Sequence, residues 1–389
     1  MIKEEKNMLK PDYAVHPGIT LREKLEELNI FPKEFAIRIG KPIKTISNVL
    51  NGKCSITPEM AIQFEKVLHI PASFWISKQS SYNEFIAREK ERDKLNIDIP
   101  WSKNFPYSML AKLGYVKSVR NLKERAKELL SFFNISTSEA WKNIYFNQEV
   151  PVFFRISLKN RKNPYAISAL LRMGEIEASK LNAQSFNRKK LKDIIIELKE
   201  IMRSETSDYL KKIQECCLKV GVKVVYTVNL PKTSINGVVR WIDDNPVIQL
   251  TDKYKRYDIF WFSLFHELGH VILHGNKKNI FLENIEDIED KNEEERGADR
   301  FAANYLLDER EFNQILDKIS SLPPGGKNEE AIIEIIEDFA EKFKTHKSII
   351  AGRILHCKEE LYALGFLQKS IKKVDFAEII GACDERKSA

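Results

Sequence analysis

Residues 258–275 read DIFWFSLFHELGHVILHG. Apolar residues flank the centre of this stretch on both sides, which predicts a buried helix from Asp258 to His274 that is ended by Gly275. His266 and His270 are four residues apart, so both imidazoles lie on one helix face and can reach one metal ion. The alternative is two histidines that fell four apart on a buried helix by chance.

A third ligand is expected from the next helix, which contains Glu295-Arg296-Gly297-Ala298-Asp299. Glu295 and Asp299 share a helix face, so we assign Glu295 as the ligand. Asp299 would then accept a hydrogen bond from the outer nitrogen of a ligand histidine and fix its tautomer. Glu293 and Glu294 compete for the ligand role, since the phase of the helix is uncertain by one residue. His274 lies four residues after His270 and could be a fourth ligand. We favour a structural role for it near the end of the helix.

This set of side chains predicts a catalytic zinc site, because such a site takes three protein ligands and keeps one position open for water. Zn²⁺ is therefore the expected cofactor, and it lowers the pKa of its water to about 7. Glu267 lies beside the metal on a neighbouring helix face. There it can take a proton from the water and pass it to the leaving amine as the catalytic acid and base.

The segments before this helix predict a small β-sheet among helices. Residues 166–217 read as three amphipathic helices, 222–228 as a strand, and 237–250 as two strands around the turn 243–246. Either GVVRW or PVIQL could be an edge strand that aligns a substrate chain by backbone pairing, and the alternative is that both strands are interior. An acidic loop, ENIEDIEDKNEEE, leads into the helix that contains Glu295.

The beginning of the chain predicts a second kind of function. Residues 1–10 read as a disordered arm, and residues 17–78 as short helices with tight connections. Thr57 is expected to cap a helix that begins at Pro58. Ile46 and either Val49 or Leu50 would face a small core. The side chains expected to point outward toward DNA bases and phosphates are Lys44, Thr45, Ser47 and Asn48, with Lys53 as a phosphate contact just past the helix.

Composition limits the environment of the protein. The chain has 389 residues, 31% of them charged, and a formal net charge of +7, which is compatible with a nucleic-acid partner. The five cysteines are odd in number and form no C-x-x-C pair, which indicates a reducing, cytoplasmic location. The longest apolar run, IFWFSLF, is too short to span a bilayer, so no membrane partner is expected.

The motif FSLFHELGHVILHG followed by EEERGADRFAANYLL resembles the ImmA/IrrE family of zinc metallopeptidases. The resemblance covers roughly the last 220 residues. It implies a gluzincin-like site with His266, His270 and Glu295 on zinc and Glu267 as acid and base. Gly297 and Asp299 replace the Glu and Asn that are usual in the family. It further implies that a partner repressor is the protein substrate.

The segment from His16 to Trp75 is similar to the HigA-type antitoxin branch of the XRE-like helix-turn-helix family. The shared residues are His16-Pro17-Gly18, Thr45-Ile46-Ser47, Leu50-Asn51-Gly52-Lys53, Ile56-Thr57-Pro58-Glu59-Met60 and Phe74-Trp75. This resemblance implies binding of double-stranded operator DNA by a homodimer. Pro42 stands where the family has a small polar N-cap, which would weaken a phosphate contact at the helix end.

Together these patterns predict a mainly α protein with a small β-sheet, of the α+β class. A five-helix helix-turn-helix domain is expected over residues 1–80, a helical middle region over 81–163, and a zincin-like metallopeptidase domain over 164–389. The predicted function is a transcriptional regulator or antitoxin of the toxin–antitoxin type whose zinc endopeptidase domain cleaves a cognate toxin, a repressor protein or itself. The alternatives are a pure repressor with a structural or inactive metal site, and a ligand-activated stress protease targeted by its helix-turn-helix domain.

Overall fold

The structure, a computed structural model, describes most of the chain. The described residues are 14–146, 163–204, 206–275, 281–284, 293–322, 329–357, 365–374 and 376. The predicted arm at residues 1–10 and most of the predicted acidic loop, 285–292, lie outside them. So do residues 147–162 of the predicted middle region. Seventeen helices and four strands form within the described part, which confirms a mainly α protein with a small sheet.

The chain divides into two compact units, Met1–Ile99 and Pro100–Ala389. Unit 1 is helical in its described part. Its helices are α1 (Pro17–Glu27), α2 (Pro32–Arg38), α3 (Ile43–Leu50), α4 (Pro58–Leu68) and α5 (Ala72–Ser102), the last of which ends just past the division.

Short helices pack around one apolar core in unit 1. Leu21, Phe35, Ile46, Phe64 and Trp75 are all buried in this core. Helix starts are fixed by side-chain caps, because the first backbone N–H groups of a helix have no partner within it. Thr57 Oγ1 accepts a hydrogen bond from the Met60 N–H at the start of α4, as the sequence predicts.

Unit 2 contains the remaining helices and all four strands. In chain order they are α6 (Tyr107–Lys112), α7 (Leu122–Phe133), α8 (Ser138–Tyr145), α9 (Pro164–Ser179), α10 (Arg188–Ser204), α11 (Tyr209–Leu218), β1 (Lys223–Thr227), β2 (Ile235–Ile242), β3 (Asn245–Thr251), α12 (Tyr257–His274), β4 (Phe281–Asn284), α13 (Glu293–Leu306), α14 (Glu309–Ser320), α15 (Glu329–Lys342), α16 (Lys347–Cys357) and α17 (Gly365–Ser370).

The sheet has the strand order β1-β3-β2-β4. Strand β1 runs parallel to β3, and β2 pairs antiparallel with both β3 and β4. The expectation that GVVRW or PVIQL forms an edge is therefore wrong, because both strands are interior and the alternative is confirmed. The turn between them is also shorter than predicted, since Asn245 and Pro246 already pair with Ile242 and Trp241.

Helix α12 lies at the centre of the largest apolar core of unit 2. Its side chains pack there against α10, α11, α13 and α16, and Leu264, Phe265, Leu268 and Val271 are fully buried. A helix that is apolar on every side is stable only when other elements surround it. Within the described residues, no helix combines the length and the apolar character that crossing a membrane requires. The polar groups of α12 are thus held inside the protein, where few water molecules compete with them.

Candidate functional site

A close helix–helix contact creates the candidate metal centre. Helices α12 and α13 pack so tightly that a Cβ atom on Gly269 would lie 3.2 Å from Cα of Ala298 and 3.2 Å from Cδ1 of Phe301. Glycine suits this point because a methyl group there would require the neighbouring atoms of α13 to move by a few tenths of an ångström. This contact lets the first turns of α13 reach the two histidines of α12.

Three side chains converge between these helices. Nε2 of His266 lies 3.0 Å from Nε2 of His270 and 3.2 Å from Oε2 of Glu295. Nε2 of His270 lies 3.5 Å from Oε1 of Glu295, and the candidate ligand atoms all lie within 4.8 Å of one another. Two imidazole nitrogens and one carboxylate oxygen form a donor set that zinc accepts in catalytic sites. The residues present therefore fit a zinc ion.

The electrostatics of the cluster keep the carboxylate ionised. Burial raises the pKa of Glu295, but hydrogen bonds from His266 and His270, together with their positive charge when protonated, outweigh it and lower this pKa to about 2. Burial lowers the pKa of His270 below its ordinary value, although Glu295 partly opposes that shift. An ionised carboxylate and a neutral imidazole are the forms that bind a cation.

The neighbours of the cluster hold two of its members in place. Nδ1 of His266 lies 3.0 Å from Oδ1 of Asp299, one turn beyond Glu295 on α13. Nε2 of His274 lies 3.1 Å from the backbone oxygen of Glu294. Among the described residues, the possible metal-binding group consists of His266, His270 and Glu295, and it does not include Glu293, Glu294 or His274.

Glu267 faces the sheet and lies against a glycine of β2. The residue is completely buried, and a Cβ atom on Gly237 would lie 2.5 Å from its Oε1. The pairing of β2 with β4 shifts between Ile235 and Val238, so Asn236 and Gly237 lie at a bulge or irregularity of the strand. Bulges are over-represented beside active sites, where they redirect side chains.

The sequence did not single out Gly237, which lies against Glu267, or Asn236 and Ser263, which are close to these two residues along the chain. Ser263 precedes Glu267 by one helical turn on α12, and Asn236 precedes Gly237 on β2. The Asn-Gly dipeptide was the available signal, because it marks turns and irregular backbone. The predicted strand begins at Gly237, whereas the observed β2 begins at Ile235 and includes both residues of the dipeptide.

The predicted DNA-contacting residues lie on and just after α3 in unit 1. Lys44, Ser47 and Lys53 are exposed, and Thr45 and Asn48 are half-buried. Ile46, Val49 and Leu50 of the same helix are buried in the core of unit 1. Pro42 precedes α3 and provides no side-chain cap.

Arg22 of α1 secures the other end of α3. One of its guanidinium N–H groups donates to the backbone oxygen of Leu50 at 2.8 Å, and it also reaches Oδ1 of Asn51 at 3.2 Å. Core packing and this contact with Arg22 therefore hold α3 in place, with its polar face directed outward.

One segment of unit 2 matches a known protein family. Residues 217–321 match the IrrE N-terminal-like domain of peptidase family M78, which is a metallopeptidase-like domain. This match spans β1 to α14 and includes both helices of the candidate metal centre. The fold and the site thus define a metallopeptidase-like domain on the same chain as a helix-turn-helix unit.

Two curated proteins are similar to a short part of the chain. An uncharacterized HTH-type transcriptional regulator, YddM of Escherichia coli (strain K12), is 36% identical over 67 residues, which are 17% of this chain and 71% of the relative. Virulence-associated protein A of Dichelobacter nodosus is 35% identical over 77 residues, which are 19% of this chain and 76% of the relative. The chain therefore belongs to the family of helix-turn-helix regulators that these relatives represent.

Among solved structures, the chain is similar to an addiction module antidote protein of the HigA family from Coxiella burnetii. The sequence identity is 28%, and the match covers 22% of this chain and 92% of that protein, with a TM-score of 0.21.

Proposed function

We propose that the protein is a DNA-binding regulator or antitoxin that also acts as a zinc-dependent endopeptidase on a protein partner or on itself. Operator binding is assigned to residues 1–80 and hydrolysis to residues 164–389, with residues 81–163 as a helical middle region. The convergence of His266, His270 and Glu295, with Glu267 next to His266 on α12, is the observation that carries the enzymatic half.

The donor set supports zinc as the metal. When bound by His266, His270 and Glu295, zinc would polarise the carbonyl of the bond to be cleaved and acidify a water molecule. The Asp299 carboxylate favours the tautomer of His266 whose Nδ1–H donates to it, which leaves the Nε2 lone pair directed at the cluster.

Glu267 supplies the proton transfers of the proposed reaction. Its carboxylate accepts a proton as water attacks the carbonyl carbon of the substrate. It then donates that proton to the nitrogen as the carbon–nitrogen bond breaks, so one peptide bond and one water give a carboxylic acid and an amine. Burial of Glu267 between α12 and β2 favours this role. A base that bulk water does not reach keeps the proton for the leaving nitrogen and does not lose it to solvent.

Metal analysis and a matched pair of variants test the enzymatic half. The purified wild type should contain about one zinc per chain, and Glu295→Ala should lose it. Glu267→Gln keeps the size of the side chain and all three ligands, so it should keep zinc and lose hydrolysis.

The substrates for this test are the chain itself and the proteins encoded next to its gene. Cleavage by the zinc-loaded wild type and none by Glu267→Gln supports the proposal. If zinc is bound and the wild type leaves every one of these proteins uncut, the metal site is structural and only the regulatory half survives.

The regulatory half is supported by the arrangement of α3. Its apolar side chains are buried while Lys44 and Ser47 are exposed, which is the division that a helix inserted in the major groove requires. A relative named an HTH-type transcriptional regulator favours the same role. We further propose that the protein binds operator DNA as a homodimer and that a cognate toxin or repressor is its protein partner.

A mobility shift with the DNA upstream of the gene tests operator binding. The double variant Lys44→Ala/Asn48→Ala should weaken binding by about 10- to 100-fold, since it removes a phosphate contact and a base contact. Lys66→Ala removes one exposed charge of α4 and serves as the control that should bind like the wild type. Equal binding by all three proteins would exclude α3 as the DNA-reading helix.

A further inference from the structure

A narrow cleft lies between the start of β2, the end of β3 and the first two turns of α12. Its lining includes Asn236 of β2, Thr251 at the end of β3, Asp252 and the exposed Tyr254 after it, and Phe260 and Ser263 of α12. The cleft is wide enough only for groups of about the size of a water molecule. A carbonyl oxygen or an amide nitrogen has this size, and a whole side chain with a ring does not.

Two polar side chains lie in this cleft without hydrogen-bond partners. Both amide atoms of Asn236, Oδ1 and Nδ2, and the Oγ atom of Ser263 make no hydrogen bond to any part of the chain that the structure describes. Asn236 is 3% exposed and Ser263 is 2% exposed. Buried polar groups are nearly always paired, because an unpaired one loses its hydration without compensation. These atoms therefore indicate a ligand that completes their hydrogen bonds.

The cleft lies near the proposed catalytic carboxylate. Ser263 lies one turn before Glu267 on the same face of α12. Gly237, the neighbour of Asn236 in β2, lies against the Glu267 carboxylate. A group bound between Asn236 and Ser263 would consequently lie next to the position at which Glu267 transfers protons.

We propose that Asn236 and Ser263 form a subsite that binds an amide group of the peptide substrate, an inference that rests on the proposed peptidase function. A side-chain amide offers one acceptor and one pair of donors, which matches the donor and acceptor of another amide. Leu250 and Phe260 line the same cleft, and apolar surroundings of this kind strengthen hydrogen bonds. The amide comes either from the main chain of the substrate or from a Gln side chain.

Hydroxamate probes test the subsite on the full-length, zinc-loaded protein by isothermal titration calorimetry. Acetohydroxamate contacts the metal alone. Pro-Leu-Gly-hydroxamate and a succinyl hydroxamate of Leu-Trp-methylamide add main-chain amides on opposite sides of the metal. The same two probes with Gln in place of Leu add a side-chain amide. We expect Asn236→Ala to weaken at least one peptide probe about tenfold and to leave acetohydroxamate unchanged.

Weakening of a Leu probe assigns the main chain, and weakening of the Gln probes alone assigns the side chain. Ser263→Ala should weaken the same probe as Asn236→Ala. Asn245→Ala is the control, because Asn245 donates to the backbone oxygens of Gln184 and Gly221 at the far end of the strand pair and should change no probe. If Asn236→Ala lowers the melting temperature and binds every peptide probe like the wild type, the cleft holds only structural water and the subsite is excluded. Failure of all hydroxamates, acetohydroxamate included, to bind the zinc-loaded wild type would instead mean that the metal has no open position, which contradicts the proposed peptidase function and the subsite with it.

Discussion

Nδ1 of His266 lies 3.0 Å from Oδ1 of Asp299, and Asp299 lies one turn after Glu295 on α13. One helix thus supplies both a candidate ligand and the group that orients another candidate ligand. The hydrogen bond holds the imidazole plane and determines which of its nitrogens carries the proton. Asp299 is therefore expected to contribute to zinc binding without touching the metal.

Asp299→Ala should weaken zinc binding by about 10- to 100-fold, because His266 loses its fixed orientation and tautomer. Asp299→Asn retains an oxygen that accepts the same hydrogen bond and should lose less than about tenfold. Competition with a chromophoric chelator measures both dissociation constants at one pH. Equal zinc affinity in wild type and Asp299→Ala would mean that the hydrogen bond has no part in metal binding.

Gly237→Ala should separate metal binding from hydrolysis. The new methyl group would lie 2.5 Å from Oε1 of Glu267, so the carboxylate must move while His266, His270 and Glu295 are untouched. A displacement of about 1 Å can cost about 100-fold in rate. We expect the rate of hydrolysis by Gly237→Ala to fall about 100-fold while its zinc dissociation constant stays unchanged, with both measured on the same preparation.

Gly365→Ala is the matched control for this variant, because a Cβ atom there meets no atom within 4 Å among the residues that the structure describes. Its hydrolysis and zinc binding should equal those of the wild type. Full hydrolysis by Gly237→Ala would show that Glu267 is not constrained by β2, and it would weaken the assignment of this residue as the base.

The central helix could be predicted from the sequence because its signals are local. The expected bounds, Asp258 to His274, differ from the observed helix by one residue, since an apolar run that ends at a glycine defines a buried helix without reference to the rest of the fold. Four-residue spacing likewise placed His266 with His270, and Glu295 with Asp299, on common helix faces.

Non-local pairing explains what the sequence did not predict. Strand β4 is only FLEN, which has none of the β-branched residues typical of strands, yet its pairing makes β2 interior and shifts register between Ile235 and Val238. The orientation of Asn236 and the contact between Gly237 and Glu267 depend on that pairing. Similarly, α5 continues to Ser102 through the boundary predicted near residue 80, where the sequence has neither glycine nor proline.

His274 is expected to position the first turn of α13. Its Nε2 atom lies 3.1 Å from the backbone oxygen of Glu294, next to the candidate ligand Glu295. His274→Phe removes the donor and should weaken zinc binding by about fivefold, the usual net value of one hydrogen bond. His274→Gln can donate to the same oxygen and should restore most of the affinity. A purely structural role would lower the melting temperature of His274→Phe and leave zinc affinity intact.

The buried cysteines should resist alkylation. Burial, together with the carboxylate of Glu197, raises the pKa of Cys216 to about 12, and burial raises the pKa of Cys217 as well. A raised pKa means that the reactive thiolate is scarce at every pH below it. With iodoacetamide at pH 8, Cys357 is exposed and should be modified first, whereas Cys216 and Cys217 should react only after unfolding, as followed by peptide mass spectrometry. Rapid modification of Cys216 in the folded protein would contradict its burial against α10.

Gly18→Ala should damage unit 1 while sparing the metal centre. A Cβ atom on Gly18 would lie 1.9 Å from the backbone oxygen of Val49, so α1 cannot keep its contact with α3. Overpacking of this kind costs about 1 to 3 kcal/mol, and here the obstacle is backbone that cannot rotate away. Operator binding should fall because α3 is displaced, and the zinc dissociation constant should stay at the wild-type value because unit 2 contains all three candidate ligands. Mobility shift and chelator competition on one preparation measure both quantities, and unchanged operator binding would show that the α1–α3 contact does not set the position of the DNA-reading helix.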